Sequence, residues 1–189
     1  MEIISAKKEN LSIILKALKN GKVLIFPTDT VYGLICDATE EKAVERIFKI
    51  KKRKRTNPLA VFVKDVKAAK RISYINKEQE DFLKKNWPGA VTVILKSRKR
   101  LSKLVYKKGT IGIRVPDYKL LNLVLEKFRR PIAQTSANIS GRGATGEIDK
   151  VLKQFSGKDR PDLAINAGNL AGSDPSKVFI FIDKPTRIR

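Results

Sequence analysis

Val23-Leu24-Ile25-Phe26-Pro27-Thr28-Asp29-Thr30-Val31-Tyr32-Gly33-Leu34-Ile35-Cys36 sets two apolar runs on either side of a short polar turn. The first run is apolar at every position and stops at a proline. A strand buried on both faces reads this way, because neither set of alternating side chains meets water. Upstream, Leu11, Ile14, Leu15 and Leu18 recur at helical spacing, and Asn20-Gly21 ends that helix. Downstream, Ala43, Val44, Ile47 and Phe48 form the stripe of a second helix, with Thr39 as its expected cap and Glu40 and Glu41 in its first turn. The alternation continues outward, with strands expected at 59–63, 91–95, 110–115, 131–135, 163–165 and 178–182. Helices are expected near 66–72, 77–85, 120–128 (capped by Asp117) and 148–155. With no repeat and no linker, the pattern predicts an α/β fold, one mixed sheet with helices packed on it, as a single domain over residues 1–189.

Charge and absences narrow the chemistry. Forty-one Lys and Arg against 19 Asp and Glu leave a net charge of +22, a field that attracts nucleotides and nucleic acids. The positive charge is concentrated: six of the seven residues at 49–55 are basic, and 96–108 carries seven more. The chain has no histidine, which excludes a Ser-His-Asp triad, imidazole acid–base chemistry and His-ligated metal. Its one cysteine, Cys36, reads as a small buried apolar residue. No apolar run approaches membrane-spanning length and the N-terminus lacks a signal-peptide core, so the chain reads as cytoplasmic.

Four polar clusters follow an apolar strand or sit at its end: 28–32, the basic run leading to Asn57, 110–114 and 136–138. Open α/β sheets bind ligands at the carboxyl ends of their strands, so these clusters predict a shared crevice. Gly141-Arg-Gly-Ala-Thr-Gly146 matches G-x-G-x-x-G, yet Ser136-Ala-Asn-Ile-Ser140 separates it from the preceding strand. A dinucleotide fingerprint needs strand, glycines and helix in direct succession, so the Rossmann reading is rejected. A loop whose backbone touches phosphate remains.

Phe26-Pro-Thr-Asp-Thr-Val-Tyr-Gly33 resembles the strand–turn signature of the YrdC-like family, the threonylcarbamoyl-AMP synthases. Lys51-Lys-Arg53 with Asn57-Pro-Leu59 behind it resembles that family's K-x-R and N-P-L. Trp87-Pro-Gly-Ala-Val-Thr92, Gly112-Ile-Arg-Val-Pro116 and Ser136-Ala-Asn-Ile-Ser-Gly141 also match, in the family's order. The similarity runs from about Ser5 to the end of the chain. It implies a YrdC-like domain, a twisted mixed sheet flanked by helices with a basic concave groove. It also implies a reaction: L-threonine, bicarbonate and ATP give threonylcarbamoyl-AMP and pyrophosphate. The partners implied are the machinery that transfers threonylcarbamoyl to adenosine 37 of tRNA, with a tRNA or double-stranded RNA contact.

By the same resemblance, Lys51 and Arg53 are the catalytic, phosphate-facing cations, while Lys49, Lys52, Lys54 and Arg55 stay solvated or face RNA. Asn57, Thr110, Ser136, Asn138, Ala144 and Arg189 would join them at ATP. Thr30, Tyr32, Arg114, Gln134 and Ser176 would hold threonine, with Arg114 as the carboxylate clamp. The resemblance implies Mg²⁺ arriving with ATP and held by phosphates and water, with no protein metal site, Asp29 being the one nearby carboxylate. Three departures stand out: Phe62 where the family often has His, Lys177 inside a late Ser-Thr-Val pattern, and a late arginine that could be Arg187 or Arg189. An RNA-binding module on the same fold, or a paralogue with an altered substrate, is the alternative reading.

Overall fold

Period-two alternation along the strands sorts the apolar side chains into two layers. The structure, a computed structural model, describes residues 1–171 and 175–188. Its strands are β1 (Glu2–Ser5), β2 (Leu24–Phe26), β3 (Gly33–Asp37), β4 (Ala60–Phe62), β5 (Val91–Lys96), β6 (Tyr106–Lys107), β7 (Thr110–Arg114), β8 (Ile132–Ser136), β9 (Leu163–Asn166), β10 (Lys177–Phe181) and β11 (Pro185–Arg187). The helices are α1 (Leu11–Lys19), α2 (Glu41–Lys51), α3 (Val66–Ile72), α4 (Lys77–Asn86), α5 (Lys119–Phe128) and α6 (Ile148–Lys153). All the strands form one mixed sheet in the order β1-β9-β2-β3-β8-β4-β7-β5-β10-β11, with β6 paired to β7 beside that path.

Leu24 and Phe26 of β2 point to one face, where they meet Ile35, Ile132 and the apolar stripes of α1 and α5. Val23 and Ile25 point to the other, with Leu34, Cys36, Val61 and the stripe of α2; α3, α4 and α6 add to that layer. Both faces of the central strands are therefore dry, which explains their unbroken apolar runs. The α1/α5 layer draws on β2, β3, β4, β8 and β9 but takes no residue from β5, β7 or β10. Of their apolar side chains, those three strands bury only the alternate set, Val93, Leu95, Ile111, Ile113 and Phe181, against the opposite layer. Among the described residues, half of one sheet face is consequently left without a helix. No helix among the described residues is long and apolar enough to cross a membrane.

Two expected caps differ. Thr39 does not cap α2; Glu40 takes that position with no side-chain bond. The Thr39 N–H and hydroxyl are instead both donated to Asp37 Oδ1, at 2.8 and 2.7 Å. Asp37 is fully buried, and a buried carboxylate needs donors more than an exposed helix end does. Tyr118, not Asp117, stands at the N-cap of α5, also without a side-chain bond. The edge strands β1 and β11 were not expected from the sequence. Both are short and mostly exposed, so neither carries an apolar pattern.

Candidate active site

The uncovered half of the sheet face forms the floor of a cleft of about 720 Å³. Thr92 and Ile94 of β5, Thr110, Gly112 and Arg114 of β7, and Val178 and Ile180 of β10 face into it as alternate residues. A Cβ added to Gly112 would lie 3.5 Å from Thr92 Cγ2 and 3.6 Å from Ala60 Cβ, so small residues keep this floor low. The opposite wall is the turn at 28–33 and the end of β8, where Gly33 pairs with Ser136 and Ala60 with Gln134. The expected crevice at strand ends is thus only part of the site. β7 contributes along its whole length, because no helix of the described residues stands on it.

At one end the chemistry centres on Arg114, which is 3% exposed. Its Nη2 donates to Asp29 Oδ2 at 2.7 Å, its Nε to the Gly89 carbonyl at 2.9 Å, and its Nη1 to Thr30 Oγ1 at 3.4 Å. A guanidinium held by three oxygens is pre-aimed, and its planar fork suits a carboxylate. Phe62 places its ring 5.9 Å from this guanidinium and lines the same wall. Tyr32 is locked by donating to the Gly168 carbonyl at 2.7 Å and accepting from Ala167 N–H at 3.0 Å, and burial pushes its phenol pKa up. Ser176 lies across from Thr92, with the two hydroxyls 3.1 Å apart.

Lys51 and Arg53 part company. Lys51 closes α2 and falls four residues after Ile47, on that helix's buried stripe; it is 3% exposed and does not line the cleft. Its ammonium has four acceptors: the Ser136 carbonyl at 2.8 Å, Ser136 Oγ at 3.4 Å, the Asn138 carbonyl at 2.9 Å and Asn138 Oδ1 at 2.7 Å. Burial, with the Arg53 guanidinium next, pulls its pKa down to about 8. Asn138 also sits behind the wall, accepting from Ser136 Oγ at 2.7 Å and donating its amide to the Ile139 and Arg142 carbonyls. Lys52 then takes a left-handed backbone (φ 53°) and turns the chain, so Arg53 emerges into the cleft. Arg53 braces its own turn, donating to the Asn57 carbonyl at 2.8 Å and the Pro58 carbonyl at 3.2 Å.

Of the residues singled out in the sequence, Thr30, Tyr32, Arg53, Asn57, Thr110, Arg114, Gln134, Ser136, Ala144 and Ser176 meet around the cleft. Arg189 lies outside the described residues, and Arg187 is exposed on β11. Lys177 is exposed and turned away from the cleft. Thr28, part of the 28–32 cluster, lines the cleft as expected, whereas sequence reasoning missed Thr92, Lys107 and Lys108 as lining residues. Alternation with buried Val93 could have found Thr92, and Gly109 marks the turn that carries Lys108. No carboxylate lines the cleft among the described residues, and none of those residues form a cluster of three or more metal-ligating side chains.

Residues 16–189 match the model of the Sua5–YciO–YrdC family, whose description reads telomere recombination. A protein of Methanocaldococcus jannaschii named putative threonylcarbamoyl-AMP synthase is 35% identical over 97% of this chain and 86% of its own length. The crystal structure of P. abyssi Sua5 complexed with L-threonine superposes on the whole chain with a TM-score of 0.90 at 29% identity. The chain spans only 56% of that longer protein. E. coli YciO matches with a TM-score of 0.88 at 26% identity, over the whole chain and 93% of its own.

Proposed function

The chain belongs to the Sua5–YciO–YrdC family, and from that footing we propose that it condenses L-threonine, bicarbonate and ATP to threonylcarbamoyl-AMP and pyrophosphate. The observation that carries this reading is a single cleft with Arg114 aimed at one end, Arg53 at the other, and no carboxylate between them among the described residues. Two anions must meet in this reaction, and fixed cations relieve their repulsion.

Threonine's neutral amine combines with bicarbonate to give the carbamate and water. A carbamate oxygen then attacks the α-phosphorus of ATP. The bond from that phosphorus to the bridging oxygen breaks, and its electron pair leaves with pyrophosphate. Arg114 clamps the threonine carboxylate, with Thr30, Tyr32, Gln134 and Ser176 around it. Arg53 faces the phosphates, and Asn57, Thr110, Ser136 and Ala144 line the nucleotide. Lys51 and Asn138 act from behind by holding the Ser136 loop in place. Positioning supplies most of the rate in such a scheme, since no histidine is present to move protons. With no carboxylate lining the cleft among the described residues, a Mg²⁺ arriving with ATP would rely on the phosphates and water for its ligands and would supply charge neutralisation there.

The unstable product passes to cytoplasmic machinery that modifies adenosine 37 of tRNA. A surface contact with tRNA is supported by Tyr74, about half exposed, whose ring lies 4.2 Å from the Arg98 guanidinium with Lys96 at 5.8 Å. Exposed aromatic and cationic groups together suit bases and phosphates.

The test is incubation with ATP, Mg²⁺, bicarbonate and L-threonine, following pyrophosphate and a threonylcarbamoyl adenylate by mass spectrometry. Threonine-dependent release of both is expected. Absence of the adenylate beside intact, salt-sensitive RNA binding would replace the synthase with an RNA-binding module.

A further inference from the structure

The sequence run at 49–55 supplies the cleft with only part of the phosphate-facing charge expected of it, because Lys51 is buried behind the wall. The cleft has two other ammonium groups. Lys107 and Lys108 line it from the hairpin that joins β6 to β7. That hairpin is held by strand pairing, a side-chain bond and a tight turn. Lys107 pairs with Thr110, whose hydroxyl donates to the Lys107 carbonyl at 2.6 Å. The two loop residues between them, Lys108 and Gly109, both have positive φ, 49° and 78°. Two left-handed residues in a two-residue loop make a type I′ turn, whose twist matches its flanking strands. The Gly109 carbonyl accepts from Ser97 N–H at 2.8 Å and ties the turn to the end of β5. Neither lysine side chain has an ion-pair or hydrogen-bond partner among the described residues.

Position along β7 assigns these cations a task. Thr110 and Arg114 are four residues apart on one strand, about 13 Å at the usual strand rise. The Leu104 carbonyl accepts from Leu59 N–H at 3.4 Å, which sets the approach to this hairpin beside the Arg53-braced turn. Arg53, Lys107 and Lys108 therefore gather at the end of the cleft opposite Arg114. A displacement at phosphorus keeps attacking and leaving oxygens roughly in line. With the attacking carbamate anchored through Arg114, the departing oxygen must point toward the other end.

We propose that Lys107 and Lys108 form a cationic lip, together with Arg53, that binds the β- and γ-phosphates of ATP and the pyrophosphate they become. The lip rests on the reading of the cleft as an adenylylating site. It makes the hairpin, rather than the K-x-R lysine, the second source of charge for the leaving group.

The experiment compares wild type with a Lys107→Gln/Lys108→Asn variant; asparagine tolerates the left-handed backbone at 108, so charge is removed without new strain. Lys16→Ala/Lys19→Ala on α1 removes the same charge from a remote exposed surface. Binding of inorganic tripolyphosphate, pyrophosphate and AMP is measured by calorimetry at fixed salt. The hairpin variant should lose about tenfold in affinity for both polyphosphates, the sum of two modest surface ion pairs. AMP should change less than about twofold, the size of a weak screened interaction. Equal losses for AMP, equal losses in the α1 variant, no loss at all, or no tripolyphosphate binding by wild type would each overturn the lip. So would a variant whose deficit is confined to duplex RNA, which would make the hairpin an RNA contact. If the lip is found but threonine-dependent pyrophosphate release is not, the synthase reading fails and a polyphosphate site of another enzyme class remains.

Discussion

Two halves of one sheet face carry the same period-two geometry and opposite chemistry. Under α1 and α5 the outward positions are Leu24, Phe26, Ile35 and Ile132. Across β5 and β7, where no helix of the described residues stands, the outward positions are Thr92, Ile94, Thr110, Gly112 and Arg114. The covered half turns burial into stability. The open half keeps hydroxyls, a glycine and an anchored guanidinium where apolar packing would otherwise be worth about 1.5–3 kcal/mol per side chain. A site on this face is a missing piece of core, and substitutions in the two halves should separate stability from turnover.

The largest effect falls on Arg114. Arg114→Ala leaves the Asp29 carboxylate beside a vacated partner, and breaking a buried pair costs about 3–5 kcal/mol. It also removes the aimed donors, so turnover should drop by about 100-fold or more. Arg114→Lys should regain stability more than turnover, since the fork is lost and the charge kept. Denaturant melts and pyrophosphate release measure the two losses. Turnover within tenfold of wild type would break the assignment of this end of the cleft to a bound anion.

On the covered half, Leu24→Ala or Leu121→Ala should cost about 2–5 kcal/mol through a cavity under α1 and α5. Turnover per folded molecule should stay at the wild-type level. A matched fall in turnover would mean that the two halves are mechanically coupled and not separable.

Legibility in the sequence follows the same division. The covered half and the opposite layer were readable, because α3, α4 and α5 and the central strands carry strong periodic patterns. Tight local groups such as Thr28–Thr30 and Ser136 were readable as motifs, though not their depth. Lys51 and Arg53 were inseparable as members of one charge run. The signal that divides them is helical phase: Val44, Ile47, Phe48 and Lys51 share one face of α2, and Lys52 ends the helix. The floor was hidden because alternation shows that Thr110, Gly112 and Arg114 share a face but cannot show that no helix covers it. Helix placement is a long-range property, set by which strands α1 and α5 can reach.

A smaller effect sharpens the floor. Gly112 has room for a Cβ at ordinary contact distance, so Gly112→Val should change stability by about 1 kcal/mol or less. Its branched methyls would rise into the cleft and displace whatever lies on the floor. Displacement of about 1 Å costs on the order of 100-fold in a positioned reaction, and a fall of about 10- to 100-fold is expected. Unchanged turnover would show that substrate does not rest on β7.

The smallest effect is a pH response of Lys51. Its folded pKa of about 8 lies below the ordinary 10.5, with burial as the main cause and Arg53 next. Four acceptors on Ser136 and Asn138 hold the ammonium, and through it the Ser136–Asn138 loop. Turnover should therefore decline through pH 8, to about half at that pH if the ammonium form alone is active. Stability moves the other way. Between pH 8 and 10.5 the unfolded chain keeps the Lys51 proton and the folded chain releases it, so the lysine's contribution to stability rises with pH. The thermal midpoint of wild type minus that of Lys51→Met should climb across this window while turnover falls. Simple alkaline unfolding would lower both together, and parallel midpoints from pH 7.5 to 10 would show that the ammonium does not titrate there.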